Sequence, residues 1–385
     1  MKLAYVTIKN AQQLGKGTEW SGTGYHIAQA LTEQSVSIDY LGPLRDPLSM
    51  KALRKLKRHY HQIGGKVYFK DTDPAILQRY ANQVAEKLRL APHDAILSAT
   101  SNPIAYLKSQ QPILFWADAT FQNTAEFYPK YSNLCQSSVD YGHEMERLAL
   151  EKCRFAIYSS DWAANTAINF YGAEPEKVNV IPFGANLTSN LSPIEVESLV
   201  DSRPSTTCKL IFIGVDWIRK GGDKALAVAK ALNQAGLPTE LTLIGTQPED
   251  DAPLPDYVKP MGYISKLTAS GQQQISQLIG ESHFLVLPTL ADCSPIVLCE
   301  ANAFGVPCLS TDIGGIPTIV KPNINGQLFG AQSSVGDYCT YIADLFADYS
   351  RYKKMCLSSF WEYKERLNWQ AAGKAAKALL HQACQ

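Results

Sequence analysis

"CKLIFIGVDWIRKGGDKALAVAKALNQAGLPTELTLIG" occupies residues 208–245. An unbroken apolar run leads into a loop carrying two cations and two glycines, then a segment with apolar residues at helical spacing, then a second apolar run. That order is a βαβ unit, because a parallel strand covered on both faces reads as continuously apolar rather than alternating. A second such unit opens the chain, with KLAYVTI from residue 2, WSGTGYHIAQALTEQ from residue 20 and VSIDYLG from residue 36. Two of them, each at the head of further strand and helix patterns, predict an α/β protein with two doubly wound domains.

The chain has 385 residues, more than one core of ordinary size needs. The first domain is placed at residues 1–187, with later strands at DAILSA, PILFWAD, FAIYSS and VNVIPFG. The polar stretch 188–207 with its two prolines reads as a linker, and the second domain as 208–364. A helix over about 365–385 is expected to pack back on the first domain.

Composition narrows the function classes. With 45% apolar and 19% charged residues the chain is a folded protein and not a disordered one. A formal net charge of 0 gives no electrostatic case for nucleic acid. Nine scattered cysteines without a CxxC pair read as reduced, buried thiols rather than disulfides or a metal site. The opening MKLAYVTI has no signal-peptide layout and no run of 18 apolar residues follows, so a cytoplasmic protein is expected.

The residues that could carry chemistry sit where strands end. In ADCSPIVLCEANAFGVPC, residues 291–308, Ser294 and Pro295 read as an N-cap and first-turn pair, placing a short helix over 295–304 at a strand's carboxyl end. Its start, around Cys293, Ser294, Pro295, Ile296 and Val297, would attract phosphate, while Glu300 lies far enough inside to accept a ribose diol. The bland alternative makes Asp292 a loop residue and Glu300 a partly exposed helix residue. Arg219 and Lys220 can neutralise a diphosphate, and Gly221 and Gly222 would let backbone approach it; a solvated basic loop is the alternative.

In the first half, Gly22, Thr23 and Gly24 precede a helix bearing His26 but lack the third glycine of a dinucleotide fingerprint. Asp118 ends an apolar strand, as a cleft residue or as a turn or cap aspartate. Asp71 to Asp73 imitates a metal-binding DxD, but Asp73 before Pro74 reads as a helix cap. KALRKLKRHYH, residues 51–61, reads as a solvated basic helix face, with peripheral contact to the inner face of an anionic membrane as the alternative.

VLPTLADCSPIVLCEANAFGVPCLSTDIGGIPTIV resembles the signature of retaining family 4 glycosyltransferases of the GT-B fold: an acid, seven residues, a glutamate, then Gly-Val-Pro and Gly-Gly-Ile-Pro. Here the pair is Asp292 and Glu300, with Asp in place of the usual first Glu. Lys220 and Gly221 keep the family's phosphate loop, Val215 stands where arginine is common, and Arg219 is expected to compensate. VNVIPFGAN resembles the Ile-Pro-Asn-Gly segment with Phe183 for Asn, and MGYIS, with Tyr263 and Ile264, resembles the strand at the nucleobase. Asp118 stands where the family often has histidine.

The resemblance implies two Rossmann-like domains facing each other across a cleft, and a metal-independent hexosyl transfer. The sugar would pass from a nucleotide-sugar donor to a glycan, lipid or small-molecule acceptor. Asp292 would position the sugar and stabilise charge, Asp118 would act on the acceptor side, and the Gly22 loop would add donor contacts. No metal or cofactor is expected. The alternatives are a non-catalytic nucleotide-sugar binding protein and a GT-B sugar-nucleotide epimerase.

Overall fold

The computed structural model describes residues 1–15, 17–46, 48–187, 189–248 and 253–385. They divide into two compact units, the first made of Met1–Pro182 and Ala372–Gln385, the second of Phe183–Ala371. In the first unit the strands are β1 (Lys2–Val6), β2 (Ser37–Tyr40), β3 (Ala95–Ser98), β4 (Ile113–Ala117), β5 (Phe155–Tyr158) and β6 (Val178–Val180). They form one parallel sheet in the order β2-β1-β3-β4-β5-β6.

The second unit repeats the plan with β7 (Cys208–Ile213), β8 (Thr239–Ile244), β9 (Val258–Pro260), β10 (Phe284–Leu287), β11 (Cys308–Thr311) and β12 (Gly326–Phe329). Their order is β12-β11-β10-β7-β8-β9, again parallel. Strands β3, β4, β5, β10 and β11 are buried at every residue, because helices cover both faces. Each sheet has a switch point where consecutive crossovers leave in opposite directions: between β1 and β3 in the first, between β7 and β10 in the second.

Residues 188–207, expected as a linker, are built into the second unit, although residue 188 lies outside the described residues. Ser192 and Glu195 form a capping box around Pro193 and start the helix Pro193–Asp201, whose Val196 and Val200 are in the core. Beyond it the Arg203 guanidinium, 4% exposed, donates to the carbonyls of Gly280, Phe304 and Gly305 and to the Tyr352 hydroxyl, all at 2.8–3.0 Å. The second unit thus begins at Phe183, not near Cys208. The last helix, Trp369–Ala383, runs into the first unit, where Lys377 Nζ donates to Gln34 O at 2.7 Å and Gly373 lies against Ala30.

All nine cysteines are free. Seven are buried, as apolar surroundings predicted, but Cys384 is exposed.

The core of the first unit contains a carboxyl group that makes no ion pair among the described residues. Glu146, 1% exposed, accepts from the Ser101 hydroxyl at 2.8 Å and the Tyr158 hydroxyl at 3.0 Å. Burial outweighs these bonds and pushes its pKa up from 4.5 to about 7. The folded chain therefore holds a proton that the unfolded chain has released, and the stability this contributes is complete below pH 4.5 and is lost as pH rises through about 7. Urea unfolding at about pH 5 and about pH 8 should differ by up to roughly 3 kcal/mol from this group. Glu146→Gln should remove that part of the difference; an unchanged pH slope would contradict the assignment.

Candidate functional site

The two loops leaving the switch point of the second sheet are stitched together. After β7, Asp216 caps a four-residue helical turn, Trp217–Lys220, by accepting from Arg219 N at 3.0 Å. After β10, Thr289 Oγ1 and Leu290 N donate to Arg219 O at 2.9 and 2.7 Å, and the Arg219 guanidinium donates to Ala291 O at 2.9 Å. Gly221 has φ +77, and a Cβ there would stand 2.1 Å from Pro288 O; one at Gly222 would stand 2.3 Å from the Trp217 ring. These glycines are required by the approach of one loop to the other and by the packing of Trp217, a demand that the sequence reading did not include.

The stitching sets charged groups side by side. The Lys220 ammonium donates to the Asp292 carboxylate, with side-chain exposures of 13% and 11%. Arg219 Nη1 lies 3.8 Å from the same oxygen. Cys293 is buried, Ser294 half-buried, and the helix that follows spans Ile296–Asn302. Pro295 holds its N-cap position with extended backbone and no side-chain cap, one residue later than the Ser294 cap and Pro295 first turn expected. The helix closes into Gly305, at φ +62.

Glu300 on this helix is fully buried, so the picture of a partly exposed helix residue fails. Its Oε1 accepts from Lys266 Nζ at 2.6 Å, and the same ammonium reaches Oε2. Lys266 follows β9 in the segment that carries Tyr263, 72% exposed, and half-buried Ile264. Sequence reading missed Lys266: it is 34 residues from Glu300, and no local spacing links the two. Asp216, which accepts from Arg219 Nε at 3.2 Å, was missed as well, although an acid before a short helical turn is an N-cap signal.

The carboxyl-terminal edge of the second sheet, where the chain leaves β7, β9 and β10, thus collects Arg219, Lys220, Asp292, Glu300 and Lys266, with Lys220 and Arg219 on Asp292 and Lys266 on the buried Glu300. Such an edge offers donors already oriented and already desolvated, the arrangement that stabilises developing anionic charge with little reorganisation. Among the described residues no group of three or more His, Cys, Asp or Glu is placed to hold a metal ion.

Gly22, Thr23, Gly24 and Asp118 belong to the first unit. Gly22, at φ +109, caps the helix Thr23–Glu33, and Gly24 O accepts from the Tyr5 hydroxyl at 2.8 Å. A Cβ at Gly24 would stand 2.8 Å from Cβ of Glu19, whose buried carboxylate accepts from Lys9 N at 2.6 Å and has its pKa raised by burial. His26 is half-buried on that helix, its ring edge-on to Tyr25. Asp118 follows β4 directly, but the next helix is capped by Thr120 and Asn123 in a capping box, so Asp118 is not the cap. Asp73 is one: it accepts from Ala75 N at 2.9 Å at the start of Pro74–Leu88.

With this geometry in view, the whole chain superposes on solved structures. A sucrose-phosphate synthase from Thermosynechococcus elongatus matches with a TM-score of 0.70 at 14% identity, covering 99% of this chain and 98% of that one. The fold is GT-B. Anabaena Alr3699/HepE, solved in complex with UDP-glucose, matches with a TM-score of 0.61 at 16% identity over 99% of this chain and all of its own. Residues 200–356 match the family model of glycosyl transferases group 1, a span containing every charged group of the edge just described. A D-inositol 3-phosphate glycosyltransferase of Thermobifida fusca is 23% identical over 227 residues, 56% of this chain and 52% of that protein. The chain thus spans about half the length of that curated relative.

Proposed function

We propose that this GT-B chain is a glycosyltransferase that moves a hexosyl group from a nucleotide-sugar donor to a glycan, lipid or small-molecule acceptor, with retention and without a metal ion. The observation that carries this reading is the pairing of Lys220 with Asp292 between the two loops at the switch point, with Glu300 on the helix that follows. The match of residues 200–356 to glycosyl transferases group 1 and the donor-type ligand named for the Anabaena structure support it.

In this reading the leaving diphosphate draws Lys220 and Arg219 toward its oxygens, and the backbone N–H groups at the start of Ile296–Asn302 add to the same field. Asp292, freed from Lys220, faces the donor sugar and stabilises positive charge developing at the anomeric carbon. Glu300 takes the ribose hydroxyls, while Lys266 stays paired with its buried side chain. Tyr263 and Ile264 lie beside the base.

The second reading is a nucleotide-sugar binding protein without turnover. Asp292 favours it, being both shorter than the usual glutamate and already held by a cation. A panel of nucleotide sugars, followed by heat stability and by slow donor hydrolysis, tests both. A transferase should be stabilised by one donor class and should hydrolyse it; stabilisation without any hydrolysis selects the binder, and no response from folded protein removes both.

A further inference from the structure

Between the helices Phe121–Phe127 and Asp161–Asn169 of the first unit lies an open groove of about 590 Å³, the size of a small-molecule site. These helices follow β4 and β5, on the far side of β3 from the switch point of the first sheet. The groove is held in shape from below. Asn123 Nδ2 donates to Thr166 Oγ1 at 2.7 Å, tying one helix to the other, and Gln122 N donates to the Tyr171 hydroxyl at 3.0 Å. Part of the lining is aromatic: the Phe127 and Trp162 rings lie 4.9 Å apart, tilted by 51°, and Phe170 is 54% exposed. Trp162, Asn165, Thr166 and Asn169 stand at i, i+3, i+4 and i+7, so one face of their helix lines the groove throughout its length. The side-chain amides of Gln122, Asn165 and Asn169 and the carboxylate of Glu126 complete it, and among the described residues these four groups make no hydrogen bond or ion pair. Glu126 is the one charged side chain in the described lining.

We propose that this groove binds a short uncharged oligosaccharide, at a site separate from the charged edge of the second unit and independent of the transfer proposed there. Charge complementarity narrows the class first. A lining without cations, whose single charge is a carboxylate, repels phosphates and other anions. Hydrogen bonding narrows it further: three amides that each donate and accept, beside a carboxylate that accepts, fit a ligand whose hydroxyls do both. A wholly apolar ligand would desolvate these groups and give them nothing in return. The rings supply the remaining match, because a pyranose carries its hydroxyls around its edge and presents C–H groups on its faces, and those faces rest on the flat surfaces of Trp162, Phe127 and Phe170.

The test is fluorescence anisotropy of end-labelled maltohexaose, cellohexaose and chitohexaose mixed with the full chain in the absence of nucleotide. At least one should bind saturably and be displaced by the same sugar unlabelled, but not by inorganic pyrophosphate. An Asn165→Ala, Asn169→Ala variant should bind about tenfold more weakly or worse, since two hydrogen bonds to the ligand are lost. Both residues are exposed, so this variant should melt like the parent. Trp162→Leu keeps an apolar side chain against Phe127 but removes the flat surface, and should weaken binding at least about fivefold. Lys220→Met, in the second unit, should bind like the parent. Folded parent chain that binds none of the three sugars overturns the proposal, as does binding that survives both groove variants. Binding that Lys220→Met abolishes would place the sugar at the second unit's charged edge; that result overturns the groove and leaves the transfer reading standing.

Discussion

Replacing Lys220 by methionine is expected to lower turnover with the donor identified by the panel by about 10²- to 10³-fold, the loss seen when one oriented donor to a developing anion is removed. Methionine keeps the length of the side chain, which is 13% exposed and packed between two stitched loops, so the change removes charge more than volume. It also leaves the Asp292 carboxylate, 11% exposed, with Arg219 at 3.8 Å as its nearest recorded cation, at a cost of about 1–3 kcal/mol in stability. The double change Lys220→Met with Asp292→Asn separates the two roles. It should restore most of the stability, because no charge is left unpaired, and should restore none of the turnover. Steady-state rates beside urea unfolding check this; a double variant that regains activity would reduce the pair to a structural clasp.

Arg203→Met should destabilise the second unit by about 3–5 kcal/mol, among the largest effects of any single change in the chain. The guanidinium fans over the carbonyls that end two helical segments, at Gly280 and at Phe304 and Gly305, and over the Tyr352 hydroxyl. Its removal leaves several buried acceptors without donors, each costing about 1–3 kcal/mol if it cannot relax toward water. Lysine cannot span them, because one ammonium lacks the planar fork, so Arg203→Lys should recover only part of the loss. Urea unfolding measures both variants, and a change below about 1 kcal/mol in Arg203→Met would contradict the role assigned to it.

The two sheets were legible because a parallel strand covered on both faces leaves an unmistakable apolar run: LIFI at β7, FLVL at β10 and ILFWA at β4 all read directly. The stretch 188–207 misled because its prolines and serines outweighed a capping box that was present in Ser192, Pro193 and Glu195. Arg203 misled further, since a charged residue near a proline reads as solvated until its carbonyl partners, up to 102 residues away, are known. Of the candidate site, Lys220, Asp292 and Glu300 were readable as candidates because each lies beyond a strand end. Lys266 was not, because what makes it a partner for Glu300 is the adjacency of loops from distant strands. The glycines at 221 and 222 carry a further demand, since their neighbours are Pro288 and Trp217, which spacing alone does not reveal.

The central claim is that the cations of the β7 loop and the carboxylate behind the β10 loop belong to one nucleotide-diphosphate site. The structure of the full chain with its nucleotide diphosphate bound tests it most directly. The pyrophosphate should lie within hydrogen-bonding distance of Arg219 and Lys220, with Lys220 turned away from Asp292 and the pentose hydroxyls on Glu300. A nucleotide bound elsewhere, with Lys220 still on Asp292 and Lys266 alone on Glu300, would contradict it.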